Sequence, residues 1–322
     1  MTLNTVLGPI DTSELGFTLS HEHVSVGSGG FPYTFPEFLD RQATLERAVR
    51  DLTQAREEGV HTIIDMAPHD QGRDVRLQEE VSRLSGVNIV ACSGTWLDVP
   101  RFFWDADPNK IADIYSREIE NGIDGTSIKA GILKAASDAG GIKPQEEIVL
   151  RAVSRASIRT GSPIMTHTWA PERIGLRQVE VFQEEGVDLD RVCIGHSNDT
   201  TDLGILVELL ETGVWLGMDR YPQWASHVPT WTERTQTVAA LIDAGWGHRV
   251  LLGHDWDSTI GLYPPEARAE KEAGNPDNYL FITRRVLPLL KSLGASTLDI
   301  SALLVDNPRR FFEGRQDAKE PT

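Results

Sequence analysis

Residues 163–196 read PIMTHTWAPERIGLRQVEVFQEEGVDLDRVCIGH, and their alternation decides how this chain folds. Two short apolar runs, 163–168 (PIMTHT) and 191–196 (RVCIGH), flank a charge-rich segment. Runs of that length bounded by polar residues read as buried strands, and the segment between them reads as a helix. The same unit recurs in both directions. Upstream lie 16–24 (GFTLSHEHV), 60–67 (VHTIIDMA), 88–94 (NIVACSG) and 127–135 (SIKAGILKA); downstream lie 214–219 (VWLGMD) and 249–255 (RVLLGHD). Between the runs, 41–58, 145–160 and 201–211 place apolar residues near i, i+3 and i+4 with charges opposite. Pro144-Gln-Glu-Glu147 opens one of these helices, with proline and two acids where the helix dipole favours them. Alternating strands and helices imply parallel strands joined by right-handed crossovers. Eight such units suffice to close a sheet. The prediction is therefore an α/β fold, a (β/α)8 TIM barrel spanning 1–322 as one domain, with a short β segment at its N-terminal end. A doubly wound open sheet is the competing architecture.

Two connections exceed what a simple turn needs. Residues 220–232 follow the seventh run and 256–278 the eighth, on the side of the strands where barrels place substrate loops. Trp224, Trp231, Tyr263, Pro264 and Pro265 suggest apolar, semi-rigid walls; ornamental surface loops are the plainer alternative.

The chain has 322 residues, of which 40% are apolar, enough for a globular core. Its net charge of −17 repels phosphate backbones and anionic lipid, so neither nucleic acid nor a membrane surface is an expected partner. That field suits neutral or cationic substrates better than polyanions, and a small neutral one is expected. No apolar stretch approaches the ~18 residues that span a bilayer, and residues 1–10 carry no basic or long apolar leader. Cys92 and Cys193 sit in apolar runs and are expected to be buried and reduced, as in a cytoplasmic protein.

The chemistry lies at the run ends. His21 and His23 close the first run, and residues i and i+2 of a strand project to one face, so both imidazoles can meet one cation. Taken alone, such a pair is weak evidence. His167 ends the fifth run, His196 the sixth and Asp255 the eighth, and Lys134 ends the fourth in Gly131-Ile-Leu-Lys134. In a closed barrel these ends converge on one mouth, bringing together four of the nine histidines, an aspartate and a lysine. An unpaired buried ammonium is strongly unfavourable, so Lys134 either pairs with a carboxylate or carries its amine in another form. The bland alternative is a set of satisfied core histidines with an ordinary ion pair. Strand parity turns His254 toward the outer helices, and Cys193 is expected to face outward too. His61 opens its run at the opposite end of the barrel, while His69, His227 and His248 read as surface residues. Two divalent cations held in this crown would ionise a bound water near neutral pH. A carboxylate made from Lys134 and carbon dioxide would supply the bridge that the other ligands lack.

These residues resemble the phosphotriesterase family of the amidohydrolase superfamily, nearly end to end. The likeness runs from Gly8-Pro9-Ile10 to Val305-Asp-Asn-Pro308 through Ser20-His-Glu-His23, Gly131-Ile-Leu-Lys134, Thr166-His-Thr168, Ile194-Gly-His-Ser197-Asn-Asp199 and His254-Asp-Trp256. The resemblance implies that His21, His23 and Asp255 hold a buried cation and that His167 and His196 hold a more exposed one. Carbamylated Lys134 and a hydroxide would bridge them. The cations suit zinc, with cobalt, manganese or iron tolerated. Asp255 would take the proton of the attacking hydroxide, and Asp199 would act as an outer acid unless it merely caps the helix near Thr201. A homodimer is also implied.

Met218-Asp-Arg220-Tyr221 is similar to the lactonase branch of the family, in which an arginine follows the seventh strand. Arg220 and Tyr221 are thus expected to meet substrate, with Arg220 holding the exocyclic lactone oxygen or shaping the entrance; a surface salt bridge is the plain alternative. Ser93-Gly-Thr-Trp96 departs from that branch, since a tryptophan stands where a tyrosine is usual. Trp96 is expected to form an apolar wall without offering a phenol. The combined expectation is a lactonase acting on N-acyl-homoserine lactones with side phosphotriesterase activity. The alternatives are a dedicated phosphotriesterase, an ester or amide hydrolase, or an inactive barrel used for binding.

Overall fold

Inward side chains of eight strands build one core and outward side chains another. The computed structural model describes residues 1–222, 225, 227–261 and 263–314. A hairpin of β1 (Thr2–Thr5) and β2 (Gly8–Asp11) precedes the barrel. The barrel strands are β3 (Thr18–Glu22), β4 (Thr62–Asp65), β5 (Asn88–Gly94), β6 (Ile132–Ala136), β7 (Ile164–His167), β8 (Val192–Ile194), β9 (Trp215–Met218) and β10 (Val250–Leu252). They pair in sequence order, every pair parallel. The seam between β10 and β3 closes the sheet: Ser20 Oγ donates to the Leu252 carbonyl at 2.8 Å, the Asp255 amide to His21 at 3.0 Å and the His23 amide to Trp256 at 2.8 Å. The predicted (β/α)8 barrel is therefore the observed fold.

Ile64, Met66, Val90, Cys92, Ile132, Met165, Trp215 and Leu251 fill the barrel interior, and Leu3, Leu15, Phe311 and Phe312 pack into the same cluster. A second cluster packs the strands against the surrounding helices, with Leu52, Val81, Ile119, Val153, Phe182, Leu206 and Val238 among its members. Burying each such side chain stabilises by roughly 1.5–3 kcal/mol.

The helix starts follow their caps. Pro144–Thr160 ends at Gly161, whose φ of 72° takes the left-handed turn that glycine tolerates. The helix expected over 201–211 begins at Leu203 rather than Thr201, because the Asp202 side chain caps the amides of Gly204 and Ile205. The fourth run begins as a loop: strand pairing starts only at Ile132, and β6 continues to Ala136. At Gly131 a Cβ would meet the Asn4 carbonyl at 2.7 Å, so the hairpin presses on the chain just before the strand begins.

Cys193 corrects the parity reading. It lies in the barrel interior with Cys92, because β8 stops at Ile194 and His196 follows in a left-handed conformation, φ 58°. Counting back from His196 as though it were still in the strand assigns the wrong face. Trp231 is also not a pocket wall: it opens the helix Trp231–Asp243 and packs edge-on against Phe281, ring centres 5.6 Å apart. Trp224 lies outside the described residues. Among the described residues no helix is long and apolar enough to cross a membrane.

Candidate metal centre

The strand ends bring His21, His23, Lys134, His167, His196 and Asp255 to one mouth, and all but Asp255 are buried. Two departures from regular strand geometry put them there. A register shift in β3 between Leu19 and Glu22 lets His21 turn inward while Glu22 turns outward. His196 and Asp255, at φ 58° and 55°, swing back over the mouth.

Ligand atoms of His21, His23 and Asp255 lie within 4.8 Å of one another. His23 Nε2 stands 2.9 Å from Asp255 Oδ1, and His21 Nε2 stands 3.6 Å from the same oxygen. His196 is ringed by His21 and His167, with centroids at 4.9 and 4.5 Å. His21, His196 and Asp219 form a second close group. Its distances show what Asp219 does: Oδ2 accepts from His21 Nδ1 and Oδ1 from His196 Nδ1, both at 2.9 Å. A carboxylate on both Nδ1 atoms leaves both Nε2 lone pairs facing the centre, the usual outer support of metal-binding histidines. The sequence reading missed Asp219, although run seven ends on it as the other runs end on theirs.

Lys134 is 1% exposed, and its Nζ lies 3.1 Å from His21 Nε2 rather than against a carboxylate. Burial pushes its pKa down. Burial likewise lowers the pKa values of His21, His167 and His196, which keeps the imidazoles neutral. Desolvation works against the Asp255 carboxylate, but His196, the hydrogen bond from His23 and the Arg220 charge outweigh it and hold the group well below its ordinary range.

The residues fit cations. His23 Nδ1 is buried without a hydrogen-bond partner, a costly arrangement for a merely structural histidine, and His167 Nε2 meets only the Asp138 carboxylate at 3.5 Å. Neutral imidazoles, an ionised aspartate and a buried amine form a donor set suited to zinc-like ions.

Around this crown, Arg220 is no surface salt bridge. It is largely buried, donating from Nη1 to Asp199 Oδ2 at 2.7 Å and from Nε to Asp255 Oδ2 at 3.0 Å. Asp199 does not cap the following helix; it stands between Arg220 and Arg234. Trp96 is more than an apolar wall, since its indole N–H donates to His167 Nδ1 at 3.3 Å. Tyr221, only 1% exposed, backs a cavity of about 620 Å³ that Arg220, Pro222, Ala225, Asp255, Trp256 and Ala267 also line. His254 faces away as expected, bonded to Glu22 at 2.7 Å. His69 is half-buried and bonds to Thr95 at 2.9 Å, so it is not the plain surface residue expected. The neighbouring Asp70 was also missed; it accepts the backbone amides of Trp96 and Asp98 and fixes the loop that carries the indole.

A barrel whose strand ends carry this donor set defines a metal-dependent hydrolase. The sequence model of the Phosphotriesterase family matches residues 1–312, and the chain belongs to that family. It is 40% identical to the phosphotriesterase homology protein of Mycobacterium tuberculosis (strain ATCC 25618 / H37Rv), with 97% of each chain covered. It is 32% identical to the aryldialkylphosphatase of Saccharolobus solfataricus, covering 94% of this chain and 96% of that one. The N-acetyltaurine hydrolase of Dictyostelium discoideum is 30% identical over 83% of this chain and 73% of its own. Among solved structures, the phosphotriesterase from Mycobacterium tuberculosis superposes with a TM-score of 0.91 at 40% identity, covering 98% and 99% of the two chains.

Proposed function

We propose that this hydrolase opens lactone rings, with N-acyl-homoserine lactones as its principal substrates and phosphotriesters as slower ones. The observation that carries the reading is the cavity beside Asp255, bounded by the loop after β9 and the helix Pro265–Gly274. Its walls are more apolar than polar, with Glu270, Lys271 and Asn275 also lining it, and Arg220 stands beside Asp255 in the wall. An acyl chain fits such walls, while the lactone ring faces the crown.

His21, His23 and Asp255 would hold one divalent cation and His167 and His196 a second, with zinc as the expected metal. Bound there, the cations supply Lewis acidity and a water ionised near neutral pH. Lys134 is proposed to react with carbon dioxide, its neutral nitrogen forming an N–C bond and losing a proton, so that its carbamate bridges the pair. The buried, pKa-lowered amine supports this. Asp255, kept ionised, accepts the proton released during attack on the ring carbonyl and returns it to the departing alkoxide. Arg220 aims that carboxylate through its Nε bond. Asp199 balances the guanidinium charge.

The relatives named aryldialkylphosphatase and N-acetyltaurine hydrolase support two other readings of the same crown, triester and amide hydrolysis. The test is kcat/KM for a long-chain N-acyl-homoserine lactone and for a phosphotriester on one metal-analysed preparation. A lactone preference of about a hundredfold, roughly 2.7 kcal/mol of transition-state discrimination, is expected. Arg220→His should shrink it. A triester preference in the parent would reject the lactonase reading and point to Trp96 as the better guide to the pocket.

The chain is further proposed to form a homodimer, on the support of an exposed aromatic surface. Tyr33 and Phe102 are 77% and 78% exposed, and Phe35, Phe38 and Trp104 are also exposed. Their loops meet at His69, which lines a cavity with Tyr33 and lies 6.3 Å, ring to ring, from Phe103.

A further inference from the structure

Arg234 sits in the first turn of the helix Trp231–Asp243 with its side chain 0% exposed. That position is doubly unfavourable for a cation. A guanidinium loses its hydration when buried, and a helix N-terminus already carries partial positive charge. What compensates is a set of three acceptors. Nη2 donates to Asp199 Oδ1 at 2.8 Å and Nε to the Pro229 carbonyl at 2.8 Å, while Nη1 donates to the Arg220 carbonyl in a short contact.

Two consequences follow from those partners. The carbonyls of Arg220 and Pro229 are the two ends of the loop after β9, so one planar fork ties both ends together. Asp199 in turn uses its other oxygen on Arg220, whose Nε reaches Asp255. Charges thus alternate in an unbroken chain: Arg234, Asp199, Arg220, Asp255. The Asn198 side chain adds a bond to the Arg220 amide at 3.2 Å, fixing the residue from the backbone side.

We propose that Arg234 is a positioning residue for the reaction: it holds Asp199 and, through it, aims Arg220 at Asp255, and it closes the loop that walls the substrate cavity. Leucine at this buried helical position would satisfy the core without the cost of a charge, so packing alone does not account for an arginine here. Lysine would keep the charge but offers a point donor instead of a fork, and cannot reach all three acceptors in this geometry.

The test compares Arg234→Lys and Arg234→Met, each alone and in an Asp199→Asn background. Bound cations, kcat, KM and the pH profile of kcat are measured with whichever ester the parent hydrolyses. Arg234→Lys is expected to keep its cations and lose kcat by about tenfold or more with KM nearly unchanged, and to move the acid limb of the profile. Adding Arg234→Met to Asp199→Asn should change kcat by less than about twofold, because the chain is already cut. That double variant removes both charges of the Arg234–Asp199 pair and is read against Asp199→Asn, so it reports even if Arg234→Met alone does not fold. Arg234→Lys with kcat and pH profile within about twofold of the parent at equal cation content would overturn the proposal. So would losses from Arg234→Met and Asp199→Asn that multiply, which would reduce Arg234 to a structural support. The inference rests on hydrolysis at this crown and not on the choice of lactones, so a triester preference would leave the test intact.

Discussion

At Lys134 the barrel interior removes the water that would keep an ammonium charged, and the neighbouring group is an imidazole nitrogen rather than a carboxylate. A residue so placed serves the centre or destabilises it. Lys134→Ala is therefore expected to lower cation affinity by about a hundredfold or more, roughly 2.7 kcal/mol, and to remove activity with it. Elemental analysis beside turnover checks this; an active, cation-replete variant would show that the lysine bridges nothing. Asp70 makes a second residue-scale prediction. Burial raises its pKa to about 7, against the pull of the amide bonds it accepts. The folded state then holds a proton that the unfolded state has lost, so this contribution is complete below about pH 3.8 and disappears as pH rises through 7. Thermal unfolding between pH 5 and 8 should show the parent losing stability relative to Asp70→Asn. Parallel curves would mean that Asp70 stays ionised throughout.

Among the elements, the strand ends explain why spacing alone placed most of the crown but misassigned Cys193. Period-two counting holds within a strand and fails where the chain leaves it, as at the left-handed His196 and the register shift in β3. Glycine makes room for the outer carboxylate. A Cβ on Gly217 would meet Asp219 Oδ2 at 2.5 Å and the Gly195 Cα at 3.0 Å. Gly217→Ala should push Asp219 off both histidines, destabilising the fold by about 1–3 kcal/mol and weakening cation binding by about 10- to 100-fold. Urea unfolding and cation titration measure the two effects separately. Unchanged cation affinity in the folded variant would show that Asp219 does not hold the rings in place.

For the whole molecule, the aromatic residues on the short helical turns within 31–38 and 101–104 are the surface that a lone barrel leaves least well explained. Sedimentation is expected to give a dimer at micromolar concentration, and Tyr33→Ser with Phe102→Ser together should weaken it by at least about tenfold in dissociation constant. A monomeric parent would reject the dimer and return this face to another partner.

The sequence by itself determined the barrel and the ligand candidates. Eight apolar runs with intervening helical periods admit few closures, and chemistry at strand ends converges whatever the details of packing. His21, His23, Lys134, His167, His196 and Asp255 were readable one by one for that reason. Only the tertiary structure decided which side chains support them. Asp219 ends run seven as the ligands end theirs, but only the fold shows that it faces two histidines; Asp70 and Arg234 are ordinary polar residues in the sequence, because hydrogen bonds to a distant strand end have no period to betray them. Burial decided the rest, since it is the loss of water around Lys134 and Arg220, not their identity, that turns two common cations into parts of one site.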